Sequence, residues 1–299
     1  MRKCLLLIVC LFVALLSVQA ARPRATHEPG VWIAGGYHGL LLPSGSDKRL
    51  LNGYEASLGF DYRLSFRRFL FHTGIGGCLA RVNSKGGNAS VALPNSVDAD
   101  GYVFTFVYDL TARSDRYTSI SVQVPLMVGA QFDRFYFLLG TKFALTAMAQ
   151  STTSLNVSSY GDYPQFLDPF TGMPEHQYFD ATAKKATSEV SFAPDIKGAV
   201  EIGAQVIKPE ENGQPSLRIA LYADMSILNI MTSTRRQAPV DHPSTFTDTD
   251  MLTPVTPNPY LSTTLVGNGD IRRLAAGVKV VLSFPYTPKK CYPCRWIRD

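Results

Sequence analysis

Residues 189–206 read EVSFAPDIKGAVEIGAQV. Val190, Phe192, Pro194, Ile196, Gly198, Val200, Ile202, Ala204 and Val206 fall on one face of an extended chain. Glu189, Ser191, Ala193, Asp195, Lys197, Ala199, Glu201, Gly203 and Gln205 fall on the other, because successive strand side chains point in opposite directions. The first face is oily and the second carries formal charge. Strands of soluble proteins run to about five or six residues. A longer run with a wholly apolar outer face fits a closed barrel in a bilayer, where about 9–11 tilted residues cross the hydrocarbon.

The same period of two recurs along the chain. A glycine-rich first strand is expected at residues 30–41, with its facing open. In the second, Tyr54, Ala56, Leu58, Phe60, Tyr62 and Leu64 oppose Glu55, Ser57, Gly59, Asp61 and Arg63. In the third, Phe69, Phe71, Ile75 and Leu79 oppose His72, Gly74, Gly76 and Cys78. Ile120, Val122, Val124, Leu126, Val128, Ala130 and Phe132 define the fourth outer face, and Phe135, Phe137, Leu139, Phe143 and Leu145 the fifth, with Tyr136, Gly140 and Lys142 turned inward. Residues 190–206 make the sixth. In the seventh, Leu217, Ile219, Leu221, Ala223, Met225 and Ile227 oppose Arg218, Tyr222, Asp224 and Ser226. In the eighth, Leu274, Ala276, Val278, Val280, Leu282 and Phe284 oppose Arg273, Gly277, Lys279 and Ser283.

The connections sort by parity. Those after the second, fourth and sixth strands are short (65–68, 133–134 and 208–215), and those after the third, fifth and seventh are long and rich in Ser, Thr, Pro, Asn and Asp. Short turns at one end and long loops at the other are the asymmetry of outer-membrane barrels. The expected fold is therefore all-β: an eight-stranded antiparallel up-and-down transmembrane β-barrel. Residues 101–110 (GYVFTFVYDL) also read as a strand, expected to extend the hairpin of the third and fourth strands, with a ninth and tenth strand as the alternative. The connections after the fifth and seventh strands show no periodicity, and Pro254, Pro257 and Pro259 speak against regular structure in the last.

Residues 1–20 read as an export signal. Arg2 and Lys3 precede an apolar core at 5–16, and Val18-Gln19-Ala20 is a small-x-small cleavage step. No later segment approaches the roughly 18 apolar residues of a spanning helix. The expected organisation is a signal peptide (1–20), an N-terminal periplasmic segment (21–29), the barrel (30–284) and a basic, cysteine-bearing periplasmic tail (285–299). The net charge of +5 is modest and lies partly in the signal and tail, so it argues for no nucleic-acid partner.

Inward positions collect Glu55, Asp61, Asp195, Glu201 and Asp224 against Arg63, Lys142, Lys197, Arg218 and Lys279. An eight-stranded barrel is just wide enough for side chains to fill. A balanced set of charges there reads as an ion-pair network closing the lumen, since unpaired buried charge is prohibitive. His38 and His72 read as packed lumen groups. His176 and His242, with Asp168, Asp180 and Asp241, lie in long loops without the fixed spacing of a catalytic pair and read as solvated. Cys291 and Cys294 have the spacing of redox and half-zinc motifs but no second pair, so a local disulfide is the expected state. No catalytic residue, metal or cofactor is expected. Asn88-Ala89-Ser90 and Asn156-Val157-Ser158 match a glycosylation sequon that carries meaning only in a eukaryotic secretory route.

Three segments carry a family resemblance. TSISVQVPLMVGAQFDRFYFLLGTKFAL (118–145), with its Val124-Pro125-Leu126 step, two-residue turn and aromatic following strand, resembles the hairpin core of the outer-membrane β-barrel family that includes the PorT-like proteins and OmpA-type eight-stranded barrels. LRIALYADMSILNI (217–230) resembles the penultimate strand of that group, and RLAAGVKVVLSF (273–284) its closing strand. Many members continue into a peptidoglycan-binding domain; the sequence ends at Asp299, and the expectation is a barrel without one. The resemblance transfers no catalytic residues. Together with the pattern it implies a non-enzymatic envelope protein, either structural, surface-binding or accessory to secretion. A narrow porin-like channel is the alternative, and an enzyme sited at the rim a further one. The expected partners are outer-membrane lipid, the barrel-assembly machinery that inserts the chain, and an unidentified surface or secretion partner.

Overall fold

A computed structural model describes residues 25–43, 50–98, 101–173, 176–189, 192–230 and 270–288. Every regular element among them is a β-strand. β1 (Thr26–Leu41), β2 (Leu50–Phe66), β3 (Phe69–Lys85), β5 (Val103–Phe132), β6 (Phe135–Asp162), β8 (Asp195–Ile207), β9 (Ser216–Ser226) and β10 (Arg272–Ser283) form the ring. All pairings are antiparallel. The ring closes where Val31 faces Leu282 and Ile33 faces Val280 between β1 and β10, and where β5 meets β6, with Val128 opposite Leu139. β4 (Ala89–Val97) and β7 (Thr182–Glu189) lie outside the ring, one on each flank of the β5–β6 pair. This is the expected eight-stranded antiparallel barrel.

The two faces are dressed as the alternation requires. Ile33, Leu58, Phe60, Ile75, Val128, Leu139, Ile202, Leu221 and Val278 are all exposed on the outside, so every ring strand contributes to an apolar belt. The inward positions between them carry the buried charges. A barrel built for water would be dressed the other way round. The open facing of the first strand resolves with Val31 and Ile33 outward and Trp32, His38 and Leu40 buried inside.

Three expectations need correction. β1 starts at Thr26, not Gly30, so residues 26–29 belong to the ring and not to a free N-terminal segment. Its start is tied to the other terminus by an isolated bridge between His27 and Tyr286, whose rings stack 5.2 Å apart. Next, β8 starts at Asp195. Pro194, which has no N–H to give a ladder, lies just ahead of that start, and Phe192 packs into the barrel mouth instead of facing outward. Ala193 N donates there to Ile230 O at 2.9 Å.

The largest difference lies in the long connections. β5 has 30 residues and β6 has 28, about three times what a bilayer crossing needs. Residues 103–110, expected as a strand, do fall on β5, but they pair with both β4 and β6, and residues 146–162, expected to be irregular, are strand as well. β4, β5, β6 and β7 thus form a four-stranded blade beyond the ring. Its core holds Phe104, Phe106, Tyr108, Leu110, Leu155, Val157, Tyr163 and Tyr178, and residues 163–173 and 176–180 fold back over that face. Tyr163 stacks on Phe104 at 4.7 Å and donates to or accepts from Tyr178 at 3.2 Å. Burial pushes the Tyr108 and Tyr178 phenols well above the ordinary tyrosine value. Residues 231–269 of the last long connection, the tail cysteines Cys291 and Cys294 and residues 1–20 lie outside the described residues.

Candidate functional site: the lumen

Within the ring the inward side chains form stacked polar layers. At the short-turn end, Glu28 of β1 accepts from Arg63 Nε at 2.8 Å and from Ser65 Oγ at 3.2 Å. The guanidinium groups of Arg63 and Arg218 both lie over the Tyr136 ring, 5.3 and 6.0 Å from its centre. Arg218 then reaches Asp61 at 2.7 Å, and Asp61 also holds His72 Nε2 and, at 3.3 Å, Lys279 Nζ. Lys279 bridges on to Glu201 at 3.1 Å, which takes a further hydrogen bond from the Tyr136 hydroxyl at 2.9 Å.

One layer up, Lys142 pairs with Asp224 at 2.7 Å and lies over the Tyr222 ring. Tyr222 donates to Glu55 at 2.8 Å, and the other Glu55 oxygen meets His38 Nδ1 at 2.9 Å. Lys197 is buried here, within Coulombic reach of Glu55 and His38. Highest of all, Asp195 accepts from Ser226 Oγ at 2.8 Å and faces Arg273 at 3.8 Å, whose guanidinium lies over Phe192. The acids Glu28, Glu55, Asp61, Asp195, Glu201 and Asp224 match the bases Arg63, Lys142, Lys197, Arg218, Arg273 and Lys279 one for one.

So the ten charged residues singled out in the sequence all face the lumen, and His38 and His72 lie among them. Sequence reasoning missed Glu28, hidden behind Pro29 and ahead of the recognised alternation, and gave no sign that Arg273 would meet Asp195. By contrast, His176, Asp168 and Asp180 are exposed on the blade, and His176 makes a ring contact with Tyr178 rather than an acid–base pair. His242 and Asp241 lie outside the described residues. Among the described residues no group of His, Cys, Asp and Glu could hold a metal ion.

Two features narrow this column among the described residues. The space between Glu55, His72, Lys142, Tyr222, Asp224 and Lys279 has a volume of about 20 Å³, room for about one water. Above the charges, Leu40, Leu42, Leu51, Val82, Tyr117, Ile230 and Ile271 close the mouth with a buried apolar layer that Phe192 packs against.

Glycines make the space for the inward rings. A Cβ at Gly203 would lie 2.5 Å from the Tyr136 ring, and one at Gly76 would lie 2.4 Å from the Trp32 indole. Gly203→Leu is expected to displace Tyr136 from Glu201 and to cost about 1–3 kcal/mol by overpacking. The check is urea unfolding of the protein in lipid vesicles; a neutral result would mean that Tyr136 does not fill the lumen.

Ring, belt and column together define the class: an eight-stranded antiparallel β-barrel, apolar outside and charged within. No family model matches the chain, and no curated protein matches it. Among solved structures it is similar to Ail, the attachment invasion locus protein of Yersinia pestis, in complex with the heparin analogue sucrose octasulfate. The two are 9% identical over 86% of this chain and 99% of that one, with a TM-score of 0.29, and at that level the likeness bears on neither ligand nor role.

Proposed function

We propose that the chain is an outer-membrane β-barrel protein of a Gram-negative-type envelope, exported by its N-terminal signal and inserted by the barrel-assembly machinery. It works without catalysis, as a surface-binding protein that closes its own lumen and holds a blade out from the membrane. The apolar belt supports the membrane setting, and the parity of the connections supports an orientation with the short turns in the periplasm and the blade outside the cell. Closure of the ring pairs the backbone N–H and C=O groups that hydrocarbon cannot satisfy.

The observation that carries the reading is the closed lumen joined to an elaborated blade. A pore has no use for an ion-paired column under an apolar cap. The blade tip does present recognition surface: Val97, Tyr102, Val103 and Phe166 are exposed there, and Leu167 is fully so, at 103%. A secretion-accessory role, implied by the PorT-like resemblance, would use the same surface. In planar bilayers the purified protein is expected to give no stepwise conductance. Regular single-channel steps would overturn the closed-lumen reading in favour of a narrow channel.

A further inference from the structure

We propose that the short-turn rim, where the β2–β3 and β5–β6 hairpins lie side by side, binds the phosphate of an anionic phospholipid. The inference rests on the membrane reading above. Because β3 pairs with β5, the two turns are neighbours, and Gln131 N donates to Arg68 O across them at 2.8 Å. The Arg68 guanidinium lies 5.8 Å from the centre of the Phe132 ring, fastening one turn to the other. Arg67, Arg68 and Arg134 are exposed on this junction. Asp133, the one carboxylate on the two turns, is engaged by Lys208, whose hydrogen bond holds it below the ordinary carboxylate value. Arg67 and Arg68 therefore face solvent with no carboxylate on their own turn, and Arg134 shares Asp133 with Lys208.

Their depth suits a lipid headgroup. Phe66 is paired with Phe69 and Phe132 with Phe135, and all four rings are exposed on the outer face immediately inside the turns. An acyl chain lying along these rings brings its phosphate to the arginines. Guanidinium forks bind phosphate oxygens in pairs, which a single point charge does not.

The backbone supplies an independent sign. Arg67 has φ 56°, in the left-handed region that hairpin turns normally fill with Gly, Asn or Asp. The equivalent position of the other turn follows that preference with Asp133, at φ 54°. Arginine at 67 works against the turn, so its side chain is what the position keeps. Strain of this kind collects at functional sites.

The test uses the full chain in detergent micelles, offered equal phosphatidylglycerol and phosphatidylcholine, with retained lipid counted by native mass spectrometry. The wild type is expected to enrich phosphatidylglycerol. Each arginine removed, in Arg67→Gly, Arg68→Gln and Arg134→Gln, is expected to reduce that preference about fivefold. Arg67→Gly should do so with no loss of thermal stability, because it relieves the turn. No preference in the wild type, or a preference that survives the triple variant, would overturn the site. Displacement of phosphatidylglycerol by millimolar inorganic phosphate would overturn the lipid as its ligand and assign it to a free anion. Gel mobility of the same samples, boiled and unboiled, separates this failure from that of the membrane reading: folded, heat-modifiable protein without lipid preference sinks the site alone.

Discussion

Replacing Arg218 with methionine is expected to cost about 3–5 kcal/mol of folding stability, the largest effect of any single change in the lumen. Arg218 is 1% exposed and pairs with Asp61 at 2.7 Å, with Glu28 at the edge of reach at 4.0 Å. Methionine fills much of its volume but leaves Asp61 with only His72 and Lys279 to answer its charge. The buried carboxylate left short of positive charge, rather than the lost attraction, makes up most of the penalty. Removing the carboxylate as well, in Arg218→Met with Asp61→Asn, is expected to cost less than the two single changes summed, because the pair is coupled. Urea titration of vesicle-inserted protein, followed by intrinsic fluorescence, measures all three. A loss below about 1 kcal/mol for Arg218→Met would mean that water reaches Asp61 freely and the column is open, since surface pairs are worth no more than that.

The second large effect is on the opposite face of the same strand. Leu221 is 65% exposed in the outer belt, flanked by Ile202 on β8 and Val278 on β10. Leu221→Arg is expected to cost about 2–4 kcal/mol in lipid, the price near the bilayer midplane. Val200→Arg, on the neighbouring strand, should behave alike. In a soluble protein, a substitution at a position this exposed shifts stability by only about 0.5 kcal/mol either way. The same unfolding experiment therefore separates a lipid-facing belt from a solvent-facing one, and a neutral Leu221→Arg would contradict the membrane setting.

Much of the ring is legible in the sequence because its two faces differ in kind. Apolar residues alternate with mostly charged, polar or small ones in 54–64, 120–132 and 217–227, and a one-residue slip would bury the wrong side chains. Legibility fails where that contrast fails. In 150–159 (QSTTSLNVSS) the inward Ser151, Thr153 and Ser159 differ little in polarity from the outward Thr152, Ser154 and Ser158, so hydropathy carries no period. Those residues are strand because β5 pairs with them in register, Tyr117 opposite Ser151 and Leu110 opposite Val157, which is a non-local fact. Phe192 misleads for the opposite reason. It continues the alternation of 195–206 by parity, but Pro194 ends the ladder between them.

The charged column is half legible on the same grounds. Facing follows from parity, so Asp61, Lys142, Glu201 and Lys279 can be placed inside from the chain alone. Their partners cannot, since Lys142 meets Asp224 and Tyr136 meets Glu201 across strands far apart in sequence.

The most direct test of the central claim, a membrane barrel closed by its own side chains, is the gel mobility of detergent-folded protein, boiled against unboiled, with far-UV circular dichroism on the same sample. The account expects a β spectrum, a requirement for detergent or lipid, and a mobility that changes on boiling. A β protein that stays soluble and monomeric without detergent, and migrates identically in both lanes, would contradict it.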